Sequence, residues 1–407
     1  MIIAQEINKL VTAYKQTGLG APRSGSGGQA IRRETSSGKL SVASYENNEI
    51  TTHQQSTGNT HGGRSASFSV NGLLSGNTYS TFFASLMRAA FAATPAITGR
   101  SITIAAPGGS LYTLTDATAT WLTGGLKIGD VIRITGGTYA NAVNRDNNII
   151  ITALSETVIT GATLNGTVMI AEGPIASSTV AVTGKKCKAP LTSHTSDYWT
   201  IEEYQSDIAK SELFTDSVIQ SIDIGIPSTG NTSFVANFVA LDRTSSGAQV
   251  LTTPTAETTT SVVQGIKGVL LANSTVIANV TSLTLKIDGK VQPMANVLGT
   301  NTAPDVARGI ITVTGQVTAF YQDAILSGYF DAATPISIAV VDAVDDTNNS
   351  EFVSFVMSKV ILNGDDKDTG ATGIVRTYPF TAQINGSGGT ALANDKTILT
   401  TQDSLAA

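Results

Sequence analysis

The sequence has little charge, few histidines and a single cysteine. Charged residues make up 14% of the 407 residues, against about 25% in an average globular domain. The lone Cys187 excludes an intrachain disulfide framework and a cysteine-rich zinc site. Acidic residues (31) outnumber basic ones (25), and the net charge of −6 does not favour binding to phosphates. So little surface charge suggests that other subunits cover much of the surface.

Long apolar runs are also missing. No run approaches the roughly 20 residues that a membrane-spanning helix needs, and the first nine residues lack the basic and apolar segments of a signal peptide. We therefore expect a soluble protein that is made in the cytoplasm and has no membrane partner. At 41%, hydrophobic residues are too frequent for a disordered chain.

No catalytic or metal-binding motif stands out. None of the Gly-Lys pairs continues as a phosphate-binding loop, and neither G-x-S-x-G nor H-E-x-x-H occurs. His53 and His61 lie in a polar loop, where a solvated pair is favoured over a metal site. The acidic run 365–368 lacks the residue order of a calcium loop. We predict a protein that is not an enzyme and holds no cofactor or metal.

Short runs rich in Val, Ile and Thr, separated by Gly, Asn, Asp and Pro, predict a mainly β fold. The clearest predicted strands are Ser65–Val70, Asp130–Thr135, Asn148–Leu154, Ile310–Val317, Ile336–Val341 and Phe352–Ile361. An apolar stripe from Tyr79 to Ala90 predicts one helix, for which Ser75 or Asn77 can serve as the cap. A weaker stretch, residues 323–330, predicts a second helix.

The order strand, helix, strand, strand, strand occurs twice, which indicates an internal duplication. The helix follows the first strand by 12 residues in one copy (79 − 67) and by 13 in the other (323 − 310). Val70-x-Gly72 matches Val313-x-Gly315 in the same register. We expect two tandem β-sandwich or barrel modules, each with a flanking helix: the first in residues 1–96 and 195–250, a linker in 251–265, the second in 266–385 and a C-terminal arm in 386–407.

Residues 97–194 interrupt the first copy and form a predicted small β-barrel-like domain. Its predicted strands are Ile102–Ala105, Leu111–Thr115, Asp130–Thr135, Asn148–Leu154, Thr167–Ala171 and Thr179–Thr183. Because both ends of the insertion flank one connection, we expect it to project outward and to be dispensable for assembly of the protein with its other copies.

Several short motifs follow one another in a distinctive order: Ala30–Glu34, Asn47–Ile50, His61–Arg64, Val70–Gly72, Leu213–Phe238 and Ala303–Gly315. This order resembles that in the tail tube proteins of phages with long non-contractile tails, the siphovirus type. The loop after Ile50 departs from the family, in which it is rich in Arg and Asp, because it reads Thr-Thr-His-Gln-Gln-Ser here.

The resemblance implies a structural virion protein whose modules close into rings that stack into a tube, the conduit for DNA ejection. Implied partners are further copies of the chain, other tail proteins such as the tape measure and the tail terminator or tip, and DNA that passes without tight binding. The implied location is the virion tail, after assembly in the host cytoplasm. Two modules per chain predict a trimeric ring that mimics a hexamer, with a ring of six whole chains as the alternative.

The polar loop Tyr45–Arg64 is predicted to contact the next ring, because loops of this length usually have a function. The candidate stacking residues are Asn48, Glu49, Ile50, His53, His61 and Arg64. For the lumen we expect acidic or neutral polar side chains, which let DNA slide. The alternative function is a surface adhesin or carbohydrate-binding protein, in which an exposed Trp121 on the inserted domain stacks on a sugar.

Overall fold

A computed structural model describes residues 3–50, 52–53, 55, 58–108, 110–322, 324–370 and 373–407. The fold is mainly β, as predicted, with two short α-helices in the described ranges, α1 (Ser80–Met87) and α2 (Ile325–Asp331). Two single 3₁₀ turns are also present, at Glu6–Asn8 and Ala142–Asn144.

The strands of the described chain follow one another in this order: β1 (Lys9–Lys15), β2 (Gly25–Ser26), β3 (Gln29–Ala30), β4 (Thr35–Glu46), β5 (Asn59–Leu73), β6 (Ile97–Gly108), β7 (Leu111–Thr115), β8 (Val131–Gly136), β9 (Ile149–Leu154), β10 (Val158–Thr163), β11 (Glu172–Val182), β12 (Lys185–Lys188), β13 (Trp199–Gln205), β14 (Lys210–Pro227), β15 (Ser233–Ala240), β16 (Asp242–Ser246), β17 (Leu251–Thr252), β18 (Gln264–Ala272), β19 (Thr275–Val276), β20 (Val280–Asp288), β21 (Val291–Pro293), β22 (Val306–Arg308), β23 (Thr312–Phe320), β24 (Ile336–Ala343), β25 (Phe352–Leu362), β26 (Asp366–Gly370), β27 (Gly373–Ala382) and β28 (Thr400–Asp403). Each of the six clearest predicted strands overlaps one of them.

The predicted duplication is visible in the order of elements. The first copy contains β5, α1, β13, β14 and β15, and the second contains β23, α2, β24, β25 and β27 in the same order. The pairings also correspond, since Gly72 lies opposite Phe234 in the first copy and Gly315 lies opposite Phe380 in the second. Both copies therefore have the same strand–helix–strand plan.

One eight-stranded sheet crosses from the first copy into the second, and we call it the shared sheet. Its order is β4, β5, β15, β14, β20, β23, β27 and then β25 continued by β26. The two copies meet where β14 pairs with β20, from Ser221 opposite Asp288 to Pro227 opposite Ser282. We call this pairing the seam, because it joins the two copies through backbone hydrogen bonds.

Apolar side chains of β13, β24 and α1 pack in one buried cluster with the apolar face of the shared sheet, and α2 adds the buried Leu326. In β14 Ile222, Ile224 and Ile226 alternate with polar or small residues, a period of two that predicts one buried face, and all three isoleucines are buried. A single buried cluster extends through both copies, and Phe83 of α1 lies 5.7 Å from Phe355 of β25 between ring centroids. The copies therefore share one core.

Helix α1 is shorter than the predicted stripe, because Arg88 adopts a left-handed conformation (φ 58°) and ends it. Neither predicted cap side chain bonds to a backbone N–H of the helix. The hydroxyl of Ser75 instead bonds to Thr78 and accepts from Arg32, while Asn77 accepts a hydrogen bond from the side chain of Ser80.

Strands β6 to β11 close into a barrel in the order β10-β7-β6-β11-β8-β9, with its own apolar core around Trp121. The predicted strand Thr167–Ala171 is wrong, and β10 takes a place in the barrel that was not predicted. Asn side chains bond to the backbone of the predicted strand, since Thr167 N donates to Asn165 and Ile170 N donates to Asn144. Such bonds compete with a strand ladder.

The barrel rests on the second copy rather than standing free on the first. Barrel residues and second-copy residues form one buried cluster: Val131, Ile150, Ala162, Leu271, Ala339, Val341, Ala343 and Phe352. The side chain of Gln402 completes the contact, because it accepts from Val131 N (2.9 Å) and donates to Val131 O (2.8 Å) and Thr183 O (2.7 Å). Removing the barrel would expose this apolar face, so the barrel is not the independent projection that we expected.

The C-terminal residues do not extend as an arm. Strand β28 pairs with β12 and with β25, and it buries Thr400, Thr401, Gln402 and Asp403. Three backbone carbonyls, those of residues 389, 390 and 392, accept hydrogen bonds from the buried Lys127 ammonium of the barrel. The Gly-rich segment after residue 386 is therefore held in place through its backbone carbonyl groups.

Candidate assembly surfaces

The shared sheet ends in two strand edges that no other strand of the described chain covers. At one end, β4 pairs with β5 along one side only. At the other end, β25 pairs with β24 up to Val360, and no further pairing follows on that side. Beyond this point Ile361, Leu362 and all of β26 keep that side open. Open strand edges are ready templates for pairing with another chain.

The seam is an example of such a strand edge that is paired within the chain. In the first copy, the outer side of β14 beyond β13 pairs with β20 of the second copy. In the second copy, the corresponding side of β25 beyond β24 has no partner in the described chain. The second copy therefore has an unfilled counterpart of the seam.

The face of the shared sheet that points away from the core is largely polar, and the register places carboxylates at Asp223, Asp288 and Asp366 on it. Directly opposed residues lie on the same face of an antiparallel sheet, and the register gives one row across seven strands: Thr35, Asn71, Val235, Asp223, Lys286, Thr314 and Thr381. Its two charges oppose each other, since Lys286 Nζ lies 3.6 Å from Asp223. We call this surface the polar face.

The predicted loop Tyr45–Arg64 is largely a β-hairpin. Strands β4 and β5 pair from Thr35 opposite Asn71 to Glu46 opposite Asn59, so only residues 47–58 connect them. Most of β4 is exposed. The first copy thus presents a long hairpin, the first hairpin, whose tip contains most of the predicted stacking residues.

The six predicted stacking residues differ in their surroundings. Asn48, Glu49, Ile50, His53 and His61 are exposed. The Glu49 backbone N–H donates to Asn47 Oδ1, which forms a tight turn. Arg64 is turned into the molecule, where it forms an ion pair with Asp242 (2.8 Å) and donates to the Arg243 carbonyl (3.0 Å). The structure therefore groups the first five at the tip and gives Arg64 a role inside the chain.

The second copy has a corresponding hairpin, the second hairpin, which runs from β20 through β21 and β22 to β23. Unlike the first, it folds back onto the first copy. Its residues Val291, Ala303 and Val306 are buried in one cluster with residues of the first copy: Tyr198, Val218, Val239 and Leu241.

A polar network closes this contact at its edge. The Tyr198 hydroxyl donates to Asp305 (2.7 Å) and accepts from Arg308 (3.2 Å), whose guanidinium also stacks over the Tyr198 ring at 4.6 Å. Burial raises the pKa of the Tyr198 hydroxyl, so it remains a donor at neutral pH. The contact is well ordered on both its apolar and its polar sides.

No arrangement in the described residues suggests catalysis or metal binding. No group of three or more His, Cys, Asp or Glu side chains there is placed to hold a metal ion. Trp121 is completely buried in the barrel core, so it offers no platform for a sugar. Among the helices that the structure describes, none has the length and apolar character to cross a membrane.

A family model, described as phage tail tube protein, matches residues 12–382. The chain belongs to this family. Comparison with curated proteins finds no match. This phage tail tube protein is therefore a structural component of the virion tail.

The sequence patterns of this tail tube protein did not reveal the open edges of the shared sheet or the seam. The open edge at β26 falls in the acidic run 365–368, which suggested at most a metal site. The seam between β14 and β20 joins residues about 60 positions apart, as in Ser221 opposite Asp288. No local pattern signals a pairing between two copies of a module.

Proposed function

We propose that three chains close into a ring through their open sheet edges, and that the rings stack into a tube that conducts DNA into the host. The observation that carries the proposal is the seam, because it shows how one module extends the sheet of the next. The β4 edge of one chain would pair with the β25–β26 edge of its neighbour in the same way. Backbone hydrogen bonds make such strand addition a common mode of association.

The number three rests on a ring of six modules, two of which come from each chain. Each chain supplies eight strands, so three chains give a closed wall of 24 strands that contains six modules. We retain the division of the chain proposed from the sequence, with the modules in 1–96 plus 195–250 and in 266–385. A ring of six whole chains is the alternative.

Electron microscopy of the purified protein tests the ring. We expect stacked rings with threefold symmetry in which six similar lobes alternate in two types. Light scattering should give a smallest assembled species of three chains. A strictly monomeric protein at all concentrations and in virion-like salt would refute ring formation, and a species of six chains would refute the trimer alone.

The polar face would line the lumen. Its hydroxyl and amide groups offer DNA few cations, and each phosphate contact by Lys or Arg would add salt-dependent affinity that slows sliding. A wall of carboxylates, hydroxyls and amides is of the acidic or neutral polar kind that we expect from the sequence. We expect tubes to retain no duplex DNA at low salt, where electrostatic binding is strongest.

A lysine substitution sharpens that test. Thr314→Lys places a cation on the polar face and should make tubes retain DNA at low salt, with release as salt is added. The same substitution at Val168, which is exposed on the barrel, should not have this effect if DNA is confined to the lumen. Retention of DNA by wild-type tubes at low salt would contradict the sliding wall.

The tip of the first hairpin would contact the next ring through Asn48, Glu49, Ile50, His53 and His61. Residues 51–59 can be deleted to test this, because the pairing of β4 and β5 continues below the tip. We expect rings to form and tubes to become shorter. Tubes of normal length from this variant would reject the contact. The ends of the tube would meet other tail proteins, such as the tape measure and the terminator or tip.

A further inference from the structure

The tip of the second hairpin presents a preformed apolar turn. Thr300 N donates to Val297 O (3.3 Å), and the hydroxyl of Thr300 also donates to this carbonyl (3.2 Å). Gly299 has a φ of +88°, which suits the third position of a type II turn. Between them Leu298 is fully exposed, and Val297 is half exposed. We call residues 297–300 the Leu298 turn.

An apolar cleft of about 280 Å³ lies beside the seam, at the far end of the same strands. Its walls come from both copies and include Ile226, Val276, Ile277, Leu283 and Val340. A cavity of about 150 Å³ lined by apolar side chains is large enough to bind benzene. The cleft can therefore accept a branched aliphatic side chain.

One buried polar atom in the cleft has no partner. Asp342 lines the cleft and is almost completely buried. Its Oδ2 accepts a hydrogen bond from the Thr232 hydroxyl (2.8 Å), but no group in the described residues bonds to Oδ1. Buried polar atoms are nearly always satisfied in a complete structure. This oxygen has almost no accessible surface, however, so an occupant of the cleft would be held by the apolar walls rather than by Asp342.

The Leu298 turn cannot reach the cleft of its own chain. Strand β20 starts at the cleft with Val280 and ends at Asp288, just before β21 leads toward the turn. Nine residues at about 3.4 Å each separate the two by roughly 27 Å or more along the strand. Turn and cleft thus lie toward opposite ends of the molecule, as a head-to-tail contact requires.

We propose that the Leu298 turn of one chain inserts into the cleft of a chain in the next ring, with Leu298 among the apolar walls. The occupant is a second copy of this chain. This inference rests on the proposed stacking of rings and names a second contact, separate from the tip of the first hairpin. The turn is already ordered, so little conformational entropy is lost on insertion.

A disulfide cross-link tests the contact directly. Val276 is half exposed at the cleft, so Leu298→Cys combined with Val276→Cys should bring two cysteines within the roughly 4.4–6.8 Å Cα separation that a disulfide requires. The native Cys187 will not interfere, because it is buried and its thiol pKa is raised to about 12. Mild oxidation of tubes should give covalent chains longer than one ring contains. Each single variant serves as the control and should give no such series.

A charge placed in the Leu298 turn gives a second test of the proposed contact. Leu298→Asp should leave the ring and its melting temperature unchanged, because this side chain has no contacts to lose, but should reduce tube length at least tenfold. Val168→Asp, an equally conservative surface change on the barrel, should leave tube length unaltered. Normal tubes from Leu298→Asp, together with no cross-link in the double variant, would overturn this contact and leave stacking intact. Absence of tubes from the wild-type protein would instead overturn the stacking on which it rests.

Discussion

The two hairpins of the chain occupy the same place in the two copies, but only the second packs its apolar residues against the other copy. The first hairpin runs straight from Thr35 to Glu46 and back, and most of its residues face solvent. The second bends and buries Val291, Ala303 and Val306 against the first copy. The chain therefore makes this contact between modules once, and the proposed ring would repeat it between chains.

The bend of the second hairpin has an identifiable cause. Gly289 and Gly309 lie at the break between β20–β23 and β21–β22, and a Cβ atom at Gly309 would lie 2.6 Å from that of Lys290. The Arg88 guanidinium, just after α1, donates to both glycine carbonyls, at 3.1 Å and 2.7 Å. The hairpin is thus fixed to the end of the helix at its bend.

Placing a charge in the buried hairpin should have the largest effect. Val306→Asp puts a carboxylate without a partner into the apolar contact, which costs several kcal/mol, so we expect a loss of at least about 3 kcal/mol. Val42→Asp, on the first hairpin, makes the same change where the side chain is over a third exposed. It should alter stability by less than about 0.5 kcal/mol. Urea unfolding midpoints give both values, and equal losses would erase the difference between the hairpins.

The buried Asp342, which lines the cleft beside the seam, should make stability depend on pH. Burial raises the pKa of Asp342 from 3.8 to about 7. A raised carboxyl pKa means that the folded state holds the proton more tightly, so stability falls as pH rises from about 4 to 7 and stays low above it. Asp342→Asn should remove this fall and stabilise the protein at pH 8 by an amount of the order of a few kcal/mol.

Unfolding of wild-type protein and Asp342→Asn at pH 5 and pH 8 measures this effect. The gain from the substitution should be clearly smaller at pH 5, where Asp342 is largely protonated in the folded state. An equal gain at both pH values would show that the carboxyl does not titrate between them.

The hydrogen bonds that fix the bend of the second hairpin should contribute less to the stability of the protein. Arg88→Met keeps most of the apolar stem and removes both hydrogen bonds to the glycine carbonyls. We expect a loss of about 1–3 kcal/mol, the usual cost of leaving buried acceptors without a donor. Denaturant unfolding measures the loss. If Arg88→Met were as stable as the wild type, the bend would owe its shape to the glycines alone.

The smallest effect should come from Arg64 at the base of the first hairpin. Its ion pair with Asp242 is partly exposed, so Arg64→Ala should cost about 1 kcal/mol. His61→Ala, three residues closer to the tip and exposed, should not change stability measurably. Thermal unfolding of both variants compares the two positions, and a larger loss from His61→Ala would reverse their assignment.

Much of the fold could be predicted from local patterns, and the exceptions have physical causes. Alternating Ile222, Ile224 and Ile226 predicted a half-buried strand because side-chain direction has a period of two. The predicted strand at 167–171 was wrong because Asn144 and Asn165 bond to its backbone. The tip residues of the first hairpin were found because a long polar segment between two strands is a local feature. Arg64 was included with them, although its partner Asp242 lies far away in the sequence.

The sequence by itself determined that the chain is mainly β, duplicated, interrupted by a barrel and without a recognisable catalytic motif, since composition and period record which side chains must be buried. Only the tertiary structure decided that β14 pairs with β20, that the barrel rests on the second copy and that Asp342 faces a cleft. Each of these contacts joins segments from different copies. Backbone groups and apolar side chains are chemically alike throughout the chain, so the sequence does not specify which segments pair. The pairing is decided only when the whole chain folds.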